Sequence, residues 1–396
     1  MTKLEKFRRI QYGRQTIEED DYESILKVLK SDFLTQGPTN ELFEKKVANF
    51  CQSEYALSFN SATSALHVAC LVLGLNKKDI LWTSPISFVA SANCGVYCGA
   101  KIDFVDIDPY TYNISVDALE EKLLIAEKIG TLPKILVVVH MAGQPARMSE
   151  IKALGDKYNF KIIEDASHAL GSTYQNTNTG CCKYSDITVF SFHPVKIITT
   201  GEGGMMTTNL HDIYDKAKML RSHGINKNPN NFLSESHGPW FYEQVNLGFN
   251  YRLSDINAAL GISQLRKIKK FIKKRNELAN NYAKLLNNEK IALPKVLENC
   301  YSSFHLYIIN LKTHEMSISQ TEVFKRLIEK GIMVNLHYIP IHLQPFYQRK
   351  FGFKLGDFPF AEKYYSCAVS LPIFPLMSKI DQEYIVNAVN TIVTRY

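Results

Sequence analysis

Short apolar runs alternate with segments of helical spacing between residues 55 and 208, and this alternation constrains the fold more than any other feature. The runs are rich in β-branched and aromatic residues and stand at 55–60, 80–84, 101–107, 134–140, 161–164, 186–192 and 203–208. Strands buried on both faces of a parallel sheet read as near-continuous apolar runs. The pattern therefore predicts an α/β domain with a mainly parallel sheet flanked by helices, and a ligand site at the carboxyl ends of its strands.

The sequence changes character after about residue 253, where a long helical stretch leads into a second region with both strand-like and helical segments. Strand-like runs stand at 302–311 and 332–337, and helical spacing at 321–330 and 381–393. We therefore expect residues 1–265 to form N-terminal helices plus the large α/β domain, and residues 266–396 a small C-terminal α+β domain. The basic run RKIKKFIKKR within the long helix is read as a solvated face rather than as a membrane or nucleic-acid patch.

Composition excludes several classes of protein. The chain of 396 residues has 46 basic and 39 acidic side chains, and its net charge of +7 is modest and suits an anionic small substrate as well as nucleic acid. No stretch approaches the roughly 20 apolar residues of a membrane span, and no apolar run follows the charged start, so we expect a cytoplasmic protein without membrane or nucleic-acid partners. The eight cysteines lack the spacing of metal sites, so reduced thiols and no metal are expected.

Three polar segments follow predicted strands and together suggest a bound cofactor. Asp165 ends the strand in KIIEDASHALG, and Lys196 follows the strand in FSFHPVK, just before the glycine-rich TTGEGG. A lysine among apolar and small residues can act as a Schiff-base nucleophile and proton shuttle when its pKa is lowered. In SFNSATSALH a strand opens a helix, where free amides and the hydroxyls of Thr63 and Ser64 would bind a phosphate. Each segment alone also reads as a helix cap or, for the lysine, as a surface residue.

These segments and others in the same chain order resemble the DegT/DnrJ/EryC1/StrS sugar aminotransferases, which belong to the fold type I enzymes that use pyridoxal 5'-phosphate (PLP). The resemblance extends through nearly the whole chain and rests on LTQGP, FNSATSALH, SPISFVASAN, VVVHMAGQPARM, IIEDASHALGS, TVFSFHPVK, TTGEGG, LRSHGI, LGFNYRLSDINAALG and HYIP. It implies the PLP-dependent transferase fold with a mixed, mainly parallel sheet. It also implies PLP as the cofactor, with pyridoxamine phosphate as its other form, and a homodimer with shared active sites.

The resemblance implies roles for individual residues. Lys196 would form the covalent link to the cofactor and move the proton, while Asp165 would pair with the pyridinium nitrogen and keep it protonated. The remaining cofactor contacts would come from Thr63, Ser64, Phe88, His168 and Ser191 of the same chain. Asn250 of the partner subunit would complete the phosphate site. Substrate contacts would come from Tyr12, Thr35, His337 and Tyr338. Two of these have a competing interpretation, because Phe88 also reads as a core aromatic and His168 as a structural histidine.

The resemblance favours transamination over related chemistry. Family dehydratases that act on deoxysugars have a histidine where this chain has Lys196. A cysteine desulfurase would need a nucleophilic cysteine, and although Cys181 and Cys182 lie in a polar stretch, the rest of that pattern is missing. A transcription regulator on this fold would need an added DNA-binding domain, whereas the segment before residue 55 matches the family's own N-terminal helices.

Further motifs narrow the expected substrate. QYGRQTI, LTQGPTNELFE, HYIPIHLQPFYQRKFGFK and AEKYYSCAVSLPIFP resemble family members of pseudaminic acid biosynthesis. That resemblance implies transfer of an amino group from L-glutamate to C4 of a UDP-4-keto-6-deoxy-N-acetyl-L-altrosamine-type nucleotide sugar. The alternative is another UDP-4-keto-6-deoxy-hexosamine, the D-gluco epimer of the bacillosamine or legionaminic acid type.

Overall fold

The computed structural model describes residues 9–286 and 288–396; residues 1–8, where the first expected domain begins, and residue 287 lie outside the described residues. The α-helices of the described residues are α1 (Glu19–Leu29), α2 (Pro38–Cys51), α3 (Ala62–Val72), α4 (Ala90–Tyr97), α5 (Val116–Ile129), α6 (Met148–Tyr158), α7 (His211–Arg221), α8 (Asp255–Leu285), α9 (Gln320–Glu329), α10 (Pro345–Phe351), α11 (Pro359–Tyr365) and α12 (Lys379–Arg395). Their β-strands are β1 (Tyr55–Phe59), β2 (Ile80–Thr83), β3 (Lys101–Phe104), β4 (Ile135–Val139), β5 (Lys161–Asp165), β6 (Thr173–Tyr174), β7 (Thr177–Asn178), β8 (Ile187–Ser191), β9 (Gly204–Thr208), β10 (Ile225–Asn226), β11 (Glu243–Gln244), β12 (Ile291–Ala292), β13 (Cys300–Tyr301), β14 (Tyr307–Leu311) and β15 (Ala368–Leu371).

The main sheet contains seven strands in the order β1-β9-β8-β5-β4-β2-β3. Strands β8, β5, β4, β2 and β3 run parallel, whereas β9 runs antiparallel to both of its neighbours. Each of the seven apolar runs forms one of these strands. The expectation of a mixed, mainly parallel sheet with flanking helices is therefore confirmed.

Helices cover this sheet on both faces, as the alternation of side chains along β4 shows. Ile135 and Val137 belong to the core cluster that contains residues of α3 and α4. Leu136 and Val138 belong to the cluster that contains residues of α5 and α6. Successive side chains of a strand point to opposite faces, so a strand covered on both sides is apolar throughout. The result is a three-layer arrangement with the strand ends free at the sheet's edge.

The C-terminal region has a small antiparallel sheet in the order β12-β14-β15, which shares a core with α9 and α12. The expected strand at 302–311 forms only from Tyr307 onward. The expected strand at 332–337 is wrong. Ile332 bridges to Ile10 and Asn335 bridges to Ser370. Each neighbouring segment lies beside this one at a single position, so no continuous ladder of strand hydrogen bonds forms.

Helix α8 runs across the expected domain boundary between residues 265 and 266, and that boundary stays a prediction. The basic run in this helix is only partly solvated, contrary to the sequence interpretation. Arg275 is buried, and its guanidinium donates to the carbonyl oxygens of Phe304, His305 and Ile373 at 2.9–3.2 Å. Burial lowers the pKa of Arg275 to about 10. Three converging carbonyls explain why this cation tolerates burial.

Candidate active site

A cavity of about 440 Å³ lies at the carboxyl ends of β4, β5 and β8, where a ligand site was expected. Nine of the residues singled out in the sequence line it, from six separate segments of the chain. They are Tyr12, Thr63, Phe88, Asp165, His168, Ser191, Lys196, His337 and Tyr338. The fold therefore brings together residues that are far apart in sequence.

Lys196 lies in the turn after β8 and lines the cavity. Its backbone amide donates to the carbonyl of His193 over 2.9 Å, which folds the chain back toward the strand end. Burial lowers the pKa of the Lys196 amine to about 8, although nearby Asp165 acts in the opposite direction. An appreciable fraction of the amine is then unprotonated near neutral pH, and this is the form that attacks a carbonyl group.

Asp165 is the last residue of β5 and is buried below the cavity. Its Oδ2 accepts a hydrogen bond from the Ser91 hydroxyl over 2.6 Å. Its Oδ1 accepts from the backbone amide of Ser167 over 3.2 Å. Both carboxylate oxygens are thus held by donors, so the carboxylate has a fixed position at the strand end.

The start of α3 opens into the cavity at Thr63. Ser61 is the N-cap of this helix, and its Oγ accepts from the backbone amide of Ser64 over 3.1 Å. The Ser64 hydroxyl donates to Asn60 Oδ1 over 2.5 Å, so the structure places Ser64 within the cap and not in the cavity lining. A helix start with hydroxyl side chains and free amides favours an anionic group.

Strand β9 passes very close to the same helix start. A Cβ atom added to Gly204 would lie 2.5 Å from the backbone nitrogen of Ala62 and equally near the carbonyl carbon of Ser61. Only glycine therefore lets the strand and the helix approach so closely. Ser191, the last residue of β8, is paired with Gly204 in the sheet. This pairing places the end of β8 near the start of α3.

Three buried histidines stand on the other side of the cavity. His168 Nε2 lies 3.1 Å from the Tyr338 hydroxyl, and the His168 ring centroid lies 4.4 Å from that of His305. Burial, with the charge of Lys196, holds the pKa values of His168 and His305 well below their usual range. The same two causes lower the pKa of His337 to about 3. All three rings are therefore neutral at physiological pH.

Aromatic side chains border the cavity entrance. Phe88 is 59% exposed, and its ring centroid lies 6.2 Å from that of Tyr338. Tyr12 packs against His337 with ring centroids 5.3 Å apart, and His337 Nδ1 lies 2.8 Å from the Ser370 hydroxyl. Phe88 is thus not a core aromatic, and its exposed face is available to a flat ligand.

Besides Ser64, two more expected site residues do not line this cavity, Thr35 and Asn250. Thr35 pairs with Ser254, and Asn250 pairs with Ser222, each through an isolated bridge, and the side chains of both are exposed. Their chain neighbours line a second cavity of about 720 Å³, which contains none of the nine residues named above. Within one chain, then, Thr35 and Asn250 do not reach the Lys196 amine.

The sequence analysis missed several residues that line the first cavity, among them Ser87, Glu202, His305 and Asn335. Glu202 lies within the glycine-rich TTGEGG, so its place beside Lys196 in the sequence pointed to the site. His305 and Asn335 lie in segments read as strands of the second region, so nothing local pointed to a site. The part of the chain that the structure describes contains no group of three or more His, Cys, Asp or Glu suited to a metal ion.

Comparison with known proteins identifies the family. The model described as the DegT/DnrJ/EryC1/StrS aminotransferase family matches residues 15–390. This chain belongs to that family. The family resemblance stated from the motifs is therefore confirmed, as are the fold type I class, the enzyme class of PLP-dependent sugar aminotransferase and the cofactor.

Relatives in this aminotransferase family cover at least 94% of this chain. The UDP-4-amino-4,6-dideoxy-N-acetyl-beta-L-altrosamine transaminase of Campylobacter jejuni subsp. jejuni serotype O:2 is 39% identical, over 94% of this chain and 95% of its own. PseC of Helicobacter pylori, an aminotransferase involved in the biosynthesis of pseudoaminic acid, is similar in structure with a TM-score of 0.89 at 32% identity, covering 98% of this chain and 100% of its own. Spr1654 of Streptococcus pneumoniae, in its PMP form, has a TM-score of 0.88 at 26% identity, with 98% and 100% coverage.

The residues of this family member fit PLP on structural grounds. The Lys196 amine and the Asp165 carboxylate share one cavity. The helix start at Thr63, whose backbone packs directly against Gly204, offers amide and hydroxyl donors suited to a phosphate group. Phe88 presents an exposed ring at the entrance.

No α-helix of the described residues has the length and apolar character needed to cross a membrane.

Proposed function

We propose that this enzyme transfers an amino group from L-glutamate to C4 of a UDP-4-keto-6-deoxy-N-acetyl-L-altrosamine-type nucleotide sugar, in the cytoplasmic biosynthesis of pseudaminic acid. The single observation that carries the proposal is the shared cavity of Lys196 and Asp165 beside the α3 anion site. The sugar and the pathway come from the similarity to the Campylobacter transaminase and to PseC. The donor comes from the motif resemblance.

Lys196 is the catalytic residue of the proposal. PLP, when bound, supplies a carbonyl group and a ring that stabilises negative charge on the reacting carbon. The Lys196 amine, with its pKa lowered to about 8, would hold that group as a nucleophile and, once released as the free amine, would accept and return a proton at Nζ. The neutral histidines nearby leave this amine as the group that exchanges protons near pH 8.

The other residues hold and orient the cofactor. Asp165, fixed by Ser91 and Ser167, would keep a proton on the ring nitrogen through its charge. The start of α3 would hold the phosphate, with Thr63 and Ser191 as hydroxyl donors, and Ser64 would contribute by holding the cap together. Phe88 would cover one ring face, and His168 stands beside Tyr338.

We propose that the working unit is a homodimer with shared active sites. Asn250 and Thr35 are exposed and lie away from their own chain's cavity, so within one chain they contribute nothing to the site. In the dimer, Asn250 of the partner subunit completes the phosphate site, and Thr35 contacts the substrate. Tyr12, His337 and Tyr338 line the cavity beside Phe88 and are the proposed contacts to the sugar.

The test is an assay with two UDP-4-keto-6-deoxy-N-acetylhexosamines, the L-altro form and the D-gluco epimer, each with L-glutamate. We expect rapid amination of the L-altro form and release of 2-oxoglutarate, with the C4 configuration of the product read by NMR. The free keto-sugar without UDP should turn over poorly, because remote binding energy aligns the reacting carbon. The Lys196→Ala variant should retain PLP and turn over neither sugar.

A clear preference for the D-gluco epimer would replace the named substrate and leave the aminotransferase class intact. That epimer is the second candidate because a similar cavity accepts it with the amino group delivered to the opposite face. Turnover of Lys196→Ala near the wild-type rate would remove Lys196 from its proposed role.

A further inference from the structure

Two buried serines stand in line behind the Asp165 carboxylate. Ser91, in the first turn of α4, donates from its hydroxyl to Asp165 Oδ2 over 2.6 Å. The Oγ atoms of Ser91 and Ser87 are 2.7 Å apart. Ser91 is 0% and Ser87 3% exposed, so neither hydroxyl is free to exchange these partners for bulk water. The arrangement connects the cavity wall to the carboxylate through two side chains.

Proton counting fixes the direction of these hydrogen bonds. A carboxylate only accepts, and a serine hydroxyl has a single proton to donate. Ser91 uses its proton on Asp165, and therefore Ser87 must be the donor to Ser91. Ser87 also lines the cavity. Since its proton is already used, a cavity group that meets the Ser87 oxygen has to be a donor.

The Ser91 hydroxyl is not a helix cap, which is the commonest reason for a serine at a helix start. Val89 occupies the N-cap position of α4, and no side chain there makes a cap hydrogen bond. The Ser91 hydroxyl instead bonds to a residue 74 positions later in the chain, on β5. A fully buried hydroxyl is expensive unless it is bonded, so its partner explains its presence.

We propose that Ser91 is a positioning residue, which fixes Asp165 Oδ2 and, supported by Ser87, orients the carboxylate toward the cofactor ring nitrogen. The proposal rests on the proposed role of Asp165. It follows from the freedom of a carboxylate, whose terminal torsion has broad minima and needs partners to define one orientation. Hydrogen bonds to an ionised acceptor are the stronger kind, so one donor is enough to matter.

The experiment compares Ser91→Ala with Ser91→Cys and with the control Ser84→Ala. Ser84 is a buried serine just after β2, and its Oγ accepts from the Ile86 amide and does not contact Asp165. For each purified PLP-loaded variant we measure the PLP dissociation constant, the visible absorbance of bound PLP against pH, and the absorbance change on adding L-glutamate. Cysteine keeps the shape of serine with a weaker donor, so it separates packing from hydrogen bonding.

We expect Ser91→Ala to slow the glutamate half-reaction by roughly 10- to 100-fold, the usual range for losing a hydrogen bond to a charged group. Ser91→Cys should be intermediate, and Ser84→Ala near wild type. The midpoint of the absorbance titration should move to higher pH in Ser91→Ala. Without the Ser91 hydrogen bond, the Asp165 carboxylate would hold the proton on the PLP ring nitrogen less well. Loss of that proton removes a positive charge near the Lys196 nitrogen that is linked to PLP, so the pKa of this nitrogen rises.

A double-mutant cycle distinguishes positioning from packing. If Ser91 acts through Asp165, then Ser91→Ala added to Asp165→Asn should change the rate by less than about twofold. The proposal would be overturned if the rate losses of Ser91→Ala and Asp165→Asn multiplied in the double variant. It would also be overturned if the absorbance midpoint of Ser91→Ala were unchanged. Should Ser91→Ala fail to fold, Ser91→Cys gives the same two measurements.

These measurements involve no nucleotide sugar, so they do not depend on the proposed substrate. A wild-type enzyme that reacts with no UDP-keto-sugar would refute the proposed function, while the Ser91 series would still be interpretable. If L-glutamate is not the donor, the absorbance midpoint of the PLP-loaded variants still decides the role of Ser91.

Discussion

Lys196 and the histidines around it share one electrostatic environment, in which burial acts on every group and the charge of Lys196 acts on the rings. Burial lowers the pKa of Lys196 to about 8, and burial and Lys196 together lower that of His337 to about 3. His168 and His305 are shifted in the same direction. To gain a second proton, each ring would have to become positively charged in a buried position close to the Lys196 amine. Of Lys196 and these three histidines, the Lys196 amine is therefore the group that titrates near pH 8.

The lowered pKa predicts how PLP binding to the apo-protein depends on pH. The folded-state pKa of about 8 lies below the ordinary lysine value of 10.5, so the reactive neutral amine appears as pH rises through about 8. The rate of covalent attachment should rise between about pH 7 and 9 and then level off. Stopped-flow absorbance measures this rate. A rate that keeps rising toward pH 10 would mean that the amine is not desolvated.

At this scale, the residue pattern alone predicted the groups that follow strand ends, and the family resemblance supplied others such as Tyr12, Phe88 and His337. Asp165 and Lys196 stand directly after apolar runs, where ligand sites occur in such sheets. In the sequence, Ser91 looks like any serine near a helix start. Its proposed role depends on a hydrogen bond to Asp165, which lies 74 residues later in the chain. Arg275 was read as solvated because the three carbonyls that surround it belong to segments far along the chain.

Among the elements, the contact between β9 and the start of α3 leaves no room for a side chain at Gly204. Strand β9 is the reversed strand of the main sheet, and at Gly204 it meets backbone atoms and not the flexible end of a side chain. Backbone at a helix cap cannot move aside without opening the first turn. The phosphate end of the site is therefore sensitive to volume on a neighbouring strand.

This contact predicts that Gly204→Ala is destabilising. The added methyl group would lie 2.5 Å from Ala62 N, and overpacking of this kind costs about 1–3 kcal/mol. We expect a lower free energy of unfolding and weaker PLP retention, measured by urea denaturation and by equilibrium dialysis.

Gly155→Ala is the matched control, because Gly155 lies inside α6 and a Cβ there meets first the end of the Ile162 side chain at 3.0 Å. Alanine also favours a helix over glycine by up to about 1 kcal/mol. That variant should be as stable as the parent and bind PLP normally. Equal losses in both variants would show that the α3 contact is not special.

The elements themselves were largely predictable, and the exception has a physical reason. Most strands of the main sheet are buried on both faces, so their composition is apolar whatever their partners are, whereas the edge strand β3 leaves Lys101 exposed and Asp103 half-buried. The segment at 332–337 has similar composition, but it finds single partners at Ile10 and Ser370. Composition indicates burial of an extended segment, whereas a strand also requires a neighbour that runs alongside it.

For the whole molecule, the proposed shared site makes a quantitative prediction. Lys196→Ala chains and Asn250→Ala chains should each have little activity alone. In a mixed dimer, one site has both native residues and the other has neither. After random subunit exchange, half of the dimers are mixed, so activity should recover to about a quarter of the wild-type value. Exchange is verified with differently tagged chains, and absence of recovery would exclude a site shared in this way.

Helix α8 has one more consequence for the whole molecule. Its 31 residues span about 46 Å, and its first turns pack in the core that contains α2 while its last turns pack in the core of the small sheet. One rigid rod thus sets the angular relation between two cores. A single residue inserted in its middle would turn the far half by about 100°. Leu278 and Tyr282 would then rotate away from the small sheet. Changes in chain length should be far better tolerated in the exposed stretch 227–247 than within this helix.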